Sequence, residues 1–232
     1  MKDALRAAWL VTRKDLVVEA RSRELLYTTV FFAVAAILIF SFSFVREGQV
    51  VDLGGGHDVA AGMLWVALAF SGTLALGRAF EREREAETLR ALLLAPVERG
   101  AIYLGKLLAL VSLMSCVEVI IVPLVVLLFH APIERAPWLV IALIATGTVG
   151  FAAVGTLFAA MLVRAHSRDV LLPVLLYPIA VPVVIAGVRG TAAIFALEPN
   201  LALARMWLSM LVFFDAVFVT LALWTFGAVM SE

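Results

Sequence analysis

Cysteine is almost absent. Cys116 is the single thiol in 232 residues, and it stands inside an apolar run, so neither a disulfide framework nor a thiolate metal cluster can be built from this chain. Charge is scarce too: Asp, Glu, Lys and Arg together make up 16% of the residues, against about 25% in an ordinary soluble domain. The formal net charge is zero, so bulk electrostatics call for neither nucleic acid nor an acidic partner. The three histidines, His57, His130 and His166, are scattered over loops, and no H-E-x-x-H or other close ligand set exists. No G-x-x-x-x-G-K-[ST] is present, and the run Gly54, Gly55, Gly56 lacks a following Lys, so there is no phosphate cradle of the P-loop kind. These absences predict a protein that is not itself an enzyme and holds no metal. Residues 1–24 are charged throughout and lack the apolar block of a cleavable signal.

What the chain has in excess is apolar residues, 64% of the total against about 45–50% in soluble domains. One soluble core cannot hide so much apolar surface; lipid must serve as solvent. A bilayer core of about 30 Å takes about 20 apolar residues in a helix. The runs predict six spans, at Leu25–Phe44, Val59–Phe80, Leu107–Phe129, Trp138–Val163, Leu171–Val188 and Leu208–Met230. The expected fold is therefore all-α and polytopic, one transmembrane domain over 1–232. Pro173, Pro178 and Pro182 fall inside the fifth span. Each removes a backbone donor and crowds the preceding turn, which predicts a kinked or interrupted helix packed against protein.

Basic residues set the orientation. Fourteen of the eighteen Lys and Arg residues fall in the first segment, between spans two and three, and after span four; the alternate side holds Arg46, Arg135, Arg189 and Arg205. Basic loops stay in the cytoplasm, so both termini are expected there, which an even number of spans requires.

Two of the basic segments carry more than charge. Residues 1–22 read as an interfacial helix, with Leu5, Trp9 and Leu16 sharing a stripe with Ala8 and Ala20 while Arg6, Arg13 and Lys14 face headgroups. Residues 81–106 open as a charged helix in which Arg82–Glu85, Arg84–Glu87 and Glu87–Arg90 meet at a spacing of three. Leu89, Leu92 and Leu93 add an apolar face too short to span, and Pro96 and Gly100 end that helix, with a second short helix expected from Ala101. The leucine cluster fits either the membrane surface or a groove on a cytoplasmic partner.

Inside the spans, Glu118 and Asp215 are carboxyls at depths where a charge costs about 2.5–3.5 kcal/mol on insertion scales. Hydrogen bonding to a neighbouring helix is the expected role for such a group, ahead of contact with a substrate. Span four carries Gly147, Gly150, Ala152 and Gly155 among Thr146, Thr148 and Thr156, a composition for close helix packing. The connection Arg189–Arg205 is expected to form short helices dipping into the outer leaflet, with a turn at Pro199 and Asn200.

The run FSGTLALGRAFEREREAETLRALLLAP followed by GKLLA, with the proline-broken LLPVLLYPIAVPVVI of span five, resembles the CcmB family of haem exporter proteins, which act in cytochrome c maturation. The resemblance extends over nearly the whole chain in span count and loop lengths. It implies a six-span permease of ABC-2-type architecture in a bacterial inner membrane. It implies a pair of ABC ATPase chains docking on the stretch containing Phe80, Glu81, Glu85, Glu87, Leu89, Leu92, Leu93 and Pro96. It further implies a second copy of this chain, further haem-handling membrane subunits, and no cofactor held by the chain itself: ATP belongs to the ATPase and haem is handled by the complex. The rival readings are an ABC permease exporting another amphiphile, such as a lipid, drug or glycan, and a membrane scaffold that transports nothing.

Overall fold

The computed structural model describes residues 2–46, 49–50, 56–79, 98–162 and 168–229. Seven α-helices account for nearly all of them: α1 (Lys2–Ser22), α2 (Glu24–Phe44), α3 (Gly56–Ala79), α4 (Arg99–Phe129), α5 (Pro137–Met161), α6 (Arg168–Phe195) and α7 (Leu201–Val229). A two-residue antiparallel pairing, β1 (Val45–Arg46) with β2 (Gln49–Val50), follows α2, and a 3-10 turn at Ile133–Arg135 precedes α5. Helices α2 to α7 are each long and apolar enough to cross a membrane, which gives the six expected spans in the expected order. Without water to satisfy backbone groups, a helix is the one local solution for such runs.

Helix α5 is the centre of the bundle and the most buried of the six spans; α7 is the least buried. Helix α5 packs against α3, α4, α6 and α7. Its glycines admit the neighbours: a Cβ at Gly147 would fall inside the Trp65 ring, one at Gly155 would overlap Leu76, and one at Gly150 would lie 2.5 Å from Asp215 Oδ1. The close packing expected of this small-residue span is thus observed. Two apolar clusters fill the bundle, one around Leu76, Tyr103, Phe151 and Phe226, the other around Trp65, Phe129, Leu143 and Phe195.

One end of the bundle gathers α1, the start of α2, the end of α3, the start of α4 and the end of α7. The contacts are Lys106 with Asp15 (2.8 Å), Arg78 with Glu24 (3.1 Å) and Arg99 with the carbonyl of Gly227 (2.5 Å). We call it the terminal end.

Four expectations change. Helix α4 runs unbroken from Arg99 to Phe129, with no separate short helix starting at Ala101, because the apolar run already begins at Ala101 and both Ile102 and Tyr103 are buried. Helix α6 passes through Pro173, Pro178 and Pro182 as one continuous element, so the span is not interrupted. Three donors are lost, yet the remaining backbone groups have no better partner in an apolar medium than their own helix. The connection expected over Arg189–Arg205 shrinks to residues 196–200, since α6 continues to Phe195 and α7 starts at Leu201. Side chains close it: Arg135 donates to the carbonyls of Phe195 and Ala196, and Asn200 Oδ1 accepts from Leu203 N at 2.9 Å, an N-cap. Finally, α1 is not merely a surface helix. Ala8, Val11, Thr12 and Asp15 form its inner stripe against α4, while Leu5 and Trp9 lie outside it, both more than half exposed.

Candidate functional site

The interior of the bundle carries a thin polar layer. Glu118 on α4 is buried and accepts a hydrogen bond from the Thr148 hydroxyl on α5. That is the role expected for a carboxyl at this depth, a bond to a neighbouring helix. Beside it, Trp65 on α3 is 3% exposed and its indole N–H donates to Thr191 Oγ1 on α6 at 3.1 Å. Gly147 on α5 and Gly187 on α6 both lie against that ring, so the indole is held between two helices that carry no side chain where it rests. On the other side of α5, Asp215 of α7 points at Gly150 and its Oδ1 is buried without a hydrogen-bond partner among the described residues. The void beside the layer, lined by Trp65, Met114, Thr148 and Phe151 among others, has room for about one water molecule. Sequence reasoning found Glu118, Asp215 and the small residues. It missed Trp65 and Thr191, whose pairing across 126 residues leaves no local signal.

The terminal end is a second arrangement. The docking residues implied for an ATPase, Phe80, Glu81, Glu85, Glu87, Leu89, Leu92, Leu93 and Pro96, lie outside the described residues, as does His166. What is described is the way the chain enters and leaves that stretch. Arg78, just before it, pairs with Glu24 at the head of α2. Arg99, just after it, donates to the carbonyl of Gly227 near the end of α7. Further along α4, Lys106 is 5% exposed and pairs with Asp15 of α1, and Thr12 Oγ1 donates to the Gly105 carbonyl at 3.0 Å. Close approach needs the glycine: a Cβ at Gly105 would lie 2.7 Å from the Ala8 carbonyl oxygen. Glu19 completes the corner by accepting from Leu26 N at 2.9 Å, next to Arg23, whose φ of 53° turns the chain from α1 into α2.

Among the described residues no three of His, Cys, Asp and Glu converge. His130 is the left-handed C-cap of α4, with φ 52° and ψ 38°, a structural post. Cys116 is exposed on the flank of α4.

Six apolar helices, few interior polar groups and ion pairs gathered at one end define a polytopic α-helical membrane protein. Within that class the affiliation is specific. The chain belongs to the CcmB protein family, whose sequence profile matches residues 6–231. It is also similar to heme exporter protein B of Paracoccus denitrificans, with 33% identity over 157 residues, covering 66% of this chain and 72% of that one.

Proposed function

We propose that this chain is the membrane permease of an ABC transporter complex of cytochrome c maturation, which couples ATP hydrolysis by a partner pair to haem export or to release of a haem-loaded chaperone. Family membership and the likeness to the Paracoccus heme exporter protein support the transport of haem. In this reading the terminal end faces the cytoplasm of a bacterial inner membrane, as the basic residues argue. The chain hydrolyses nothing itself. A second copy and further haem-handling membrane subunits complete the complex.

The observation that carries the coupling is the way residues 80–97 join the bundle: α3 leads straight into them, and Arg99, just after them, holds the carbonyl of Gly227. A push on that stretch reaches α3 through the chain itself and the end of α7 through Arg99, so rigid spans can pass the motion outward. Pull-down from detergent extracts tests the docking. Leu89→Asp with Leu93→Asp is expected to remove most of the ATPase while leaving membrane insertion intact, because buried anchors of a docked helix each cost about 1–2 kcal/mol or more on truncation. Full retention of the ATPase by the double variant would make the stretch a membrane-surface helix and remove the coupling role.

A further inference from the structure

Three aromatic rings on three different helices form a chain on the outer surface of the bundle. Phe32 of α2, Phe70 of α3 and Tyr177 of α6 have successive centroid separations of 6.2 and 6.3 Å. Phe32 is 41% exposed and Phe70 48%, although α3 is otherwise a largely buried span. Helices α2 and α6 both pack on α3, and so form the two walls of a groove of which α3 is the floor.

Below Phe70 the floor is low. Thr73 and Gly77 follow it at three and seven residues, on one face of the helix. A Cβ built at Gly77 would meet nothing within 4 Å. The one Thr73 proton goes to the Ala69 carbonyl at 2.8 Å, so the Tyr177 hydroxyl, 3.2 Å away, is the donor to Thr73 Oγ1 and fixes its own ring. At the foot lies Arg78, eight residues or about 12 Å below Phe70 along the axis. Its partner Glu24 is 65% exposed. An ion pair so open to solvent is worth about 0–1 kcal/mol and exchanges readily for another carboxylate.

The groove therefore has three aromatic rings at its top, tilted by 46° and 56° to one another, an unfilled floor and an exchangeable cation at its base. An acyl chain packs on any apolar wall and needs neither the rings nor the cation. A planar conjugated macrocycle with carboxylate tails uses all three: its face lies on one ring while the tilted neighbour meets it edge-on, and a guanidinium matches a carboxylate in a bidentate pair. We propose that the α2–α3–α6 groove binds haem, with its macrocycle against Phe70 and Tyr177 over Gly77 and its propionates toward Arg78. The assignment rests on the reading of the chain as a haem-handling permease and names the surface that touches the substrate.

The test is an absorbance titration of ferric protoporphyrin IX into the full chain in lipid nanodiscs. Gly77→Leu adds a side chain whose Cβ meets nothing within 4 Å and places a helix-forming residue there, so it reports on the groove and not on folding. Gly77→Leu and Phe70→Ala are each expected to weaken haem binding about tenfold, which corresponds to about 1.4 kcal/mol. Arg78→Gln should weaken haem but leave the dimethyl ester of protoporphyrin IX unaffected. Haem bound by Gly77→Leu as tightly as by the unaltered chain overturns the assignment, and so does an unaltered chain that binds haem no better than empty nanodiscs. So does haem displaced by a fluorescent phosphatidylglycerol, which would make the groove a lipid site. Copurification of the ATPase is read separately on the same variants. ATPase kept with haem binding unchanged in Gly77→Leu rejects the groove alone, whereas ATPase absent from the unaltered chain rejects the permease reading.

Discussion

Gly187→Ala is the sharpest test of how this bundle is held together. A Cβ there would lie 2.5 Å from Trp65 Cδ2 and closer still to two other ring atoms, well inside van der Waals contact. The indole cannot retreat, since it is 3% exposed and Gly147 of α5 closes its other side. Moving it also strains the 3.1 Å bond to Thr191. Overpacking of this kind costs about 1–3 kcal/mol, and a stranded indole N–H about 1–3 more. The gain in helix propensity returns about 1 kcal/mol. A net loss of about 1–5 kcal/mol lowers the melting temperature of a chain of this size by roughly 2–20 °C. Gly62→Ala is the matched control, because nothing lies within 4 Å of the Cβ it adds, and it is expected to raise the melting temperature by a few degrees. Scanning fluorimetry in one detergent measures both. A Gly187→Ala protein that melts no lower than the Gly62→Ala protein would refute the idea that the Trp65 pocket locks α3 to α5 and α6.

Other outcomes follow from the same geometry. Thr148→Val leaves Glu118 buried without its donor and is expected to destabilise by about 1–3 kcal/mol, while Glu118→Gln, which can still accept from Thr148, is expected to cost less; thermal unfolding separates them. Asp15→Ala takes the carboxylate away from buried Lys106 and is expected to cost about 2–3 kcal/mol, below the 3–5 of a fully buried pair because Asp15 keeps 21% exposure; adding Lys106→Met is expected to restore much of the loss in a double-mutant cycle. Reporter fusions at residues 50, 95, 134 and 232 are expected to read outside, inside, outside and inside. A cytoplasmic signal at 50 would break the six-span topology.

The spans were legible because lipid imposes one rule on every one of them: a run of about 20 apolar residues has little choice but helix. Glu118 and the glycines of α5 were legible for the same reason, since a carboxyl or a bare backbone at that depth stands out against its neighbours. The inner contact of α1 was not. Leu5, Trp9 and Leu16 read as the membrane-facing stripe of an interfacial helix, while a different stripe, Ala8, Thr12 and Asp15, meets α4 at Gly105, a partner that no local pattern announces. Lys106 reads as a loop charge along the chain, because its partner Asp15 lies some ninety residues earlier. The prolines of α6 left open whether the span would be kinked or interrupted, because their cost is set by what surrounds the helix; the helix runs on without interruption. The aromatic chain of Phe32, Phe70 and Tyr177 was hidden because each ring alone is an ordinary lipid-facing residue.

The clasp between α1 and α4 also has a place in time. Thr12 and Gly105 are 93 residues apart. At roughly 5–20 residues per second, α1 leaves the ribosome about 5–20 s before the surface it will grip exists. During that interval Asp15 has no Lys106, and α2 and α3 must enter the bilayer while α1 waits beside it. Docking of the first helix and arrival of the third span are thus one event in the birth of the protein. A variant that loosens the clasp should show its defect first as slow maturation of the nascent chain, before any loss is visible in the finished molecule.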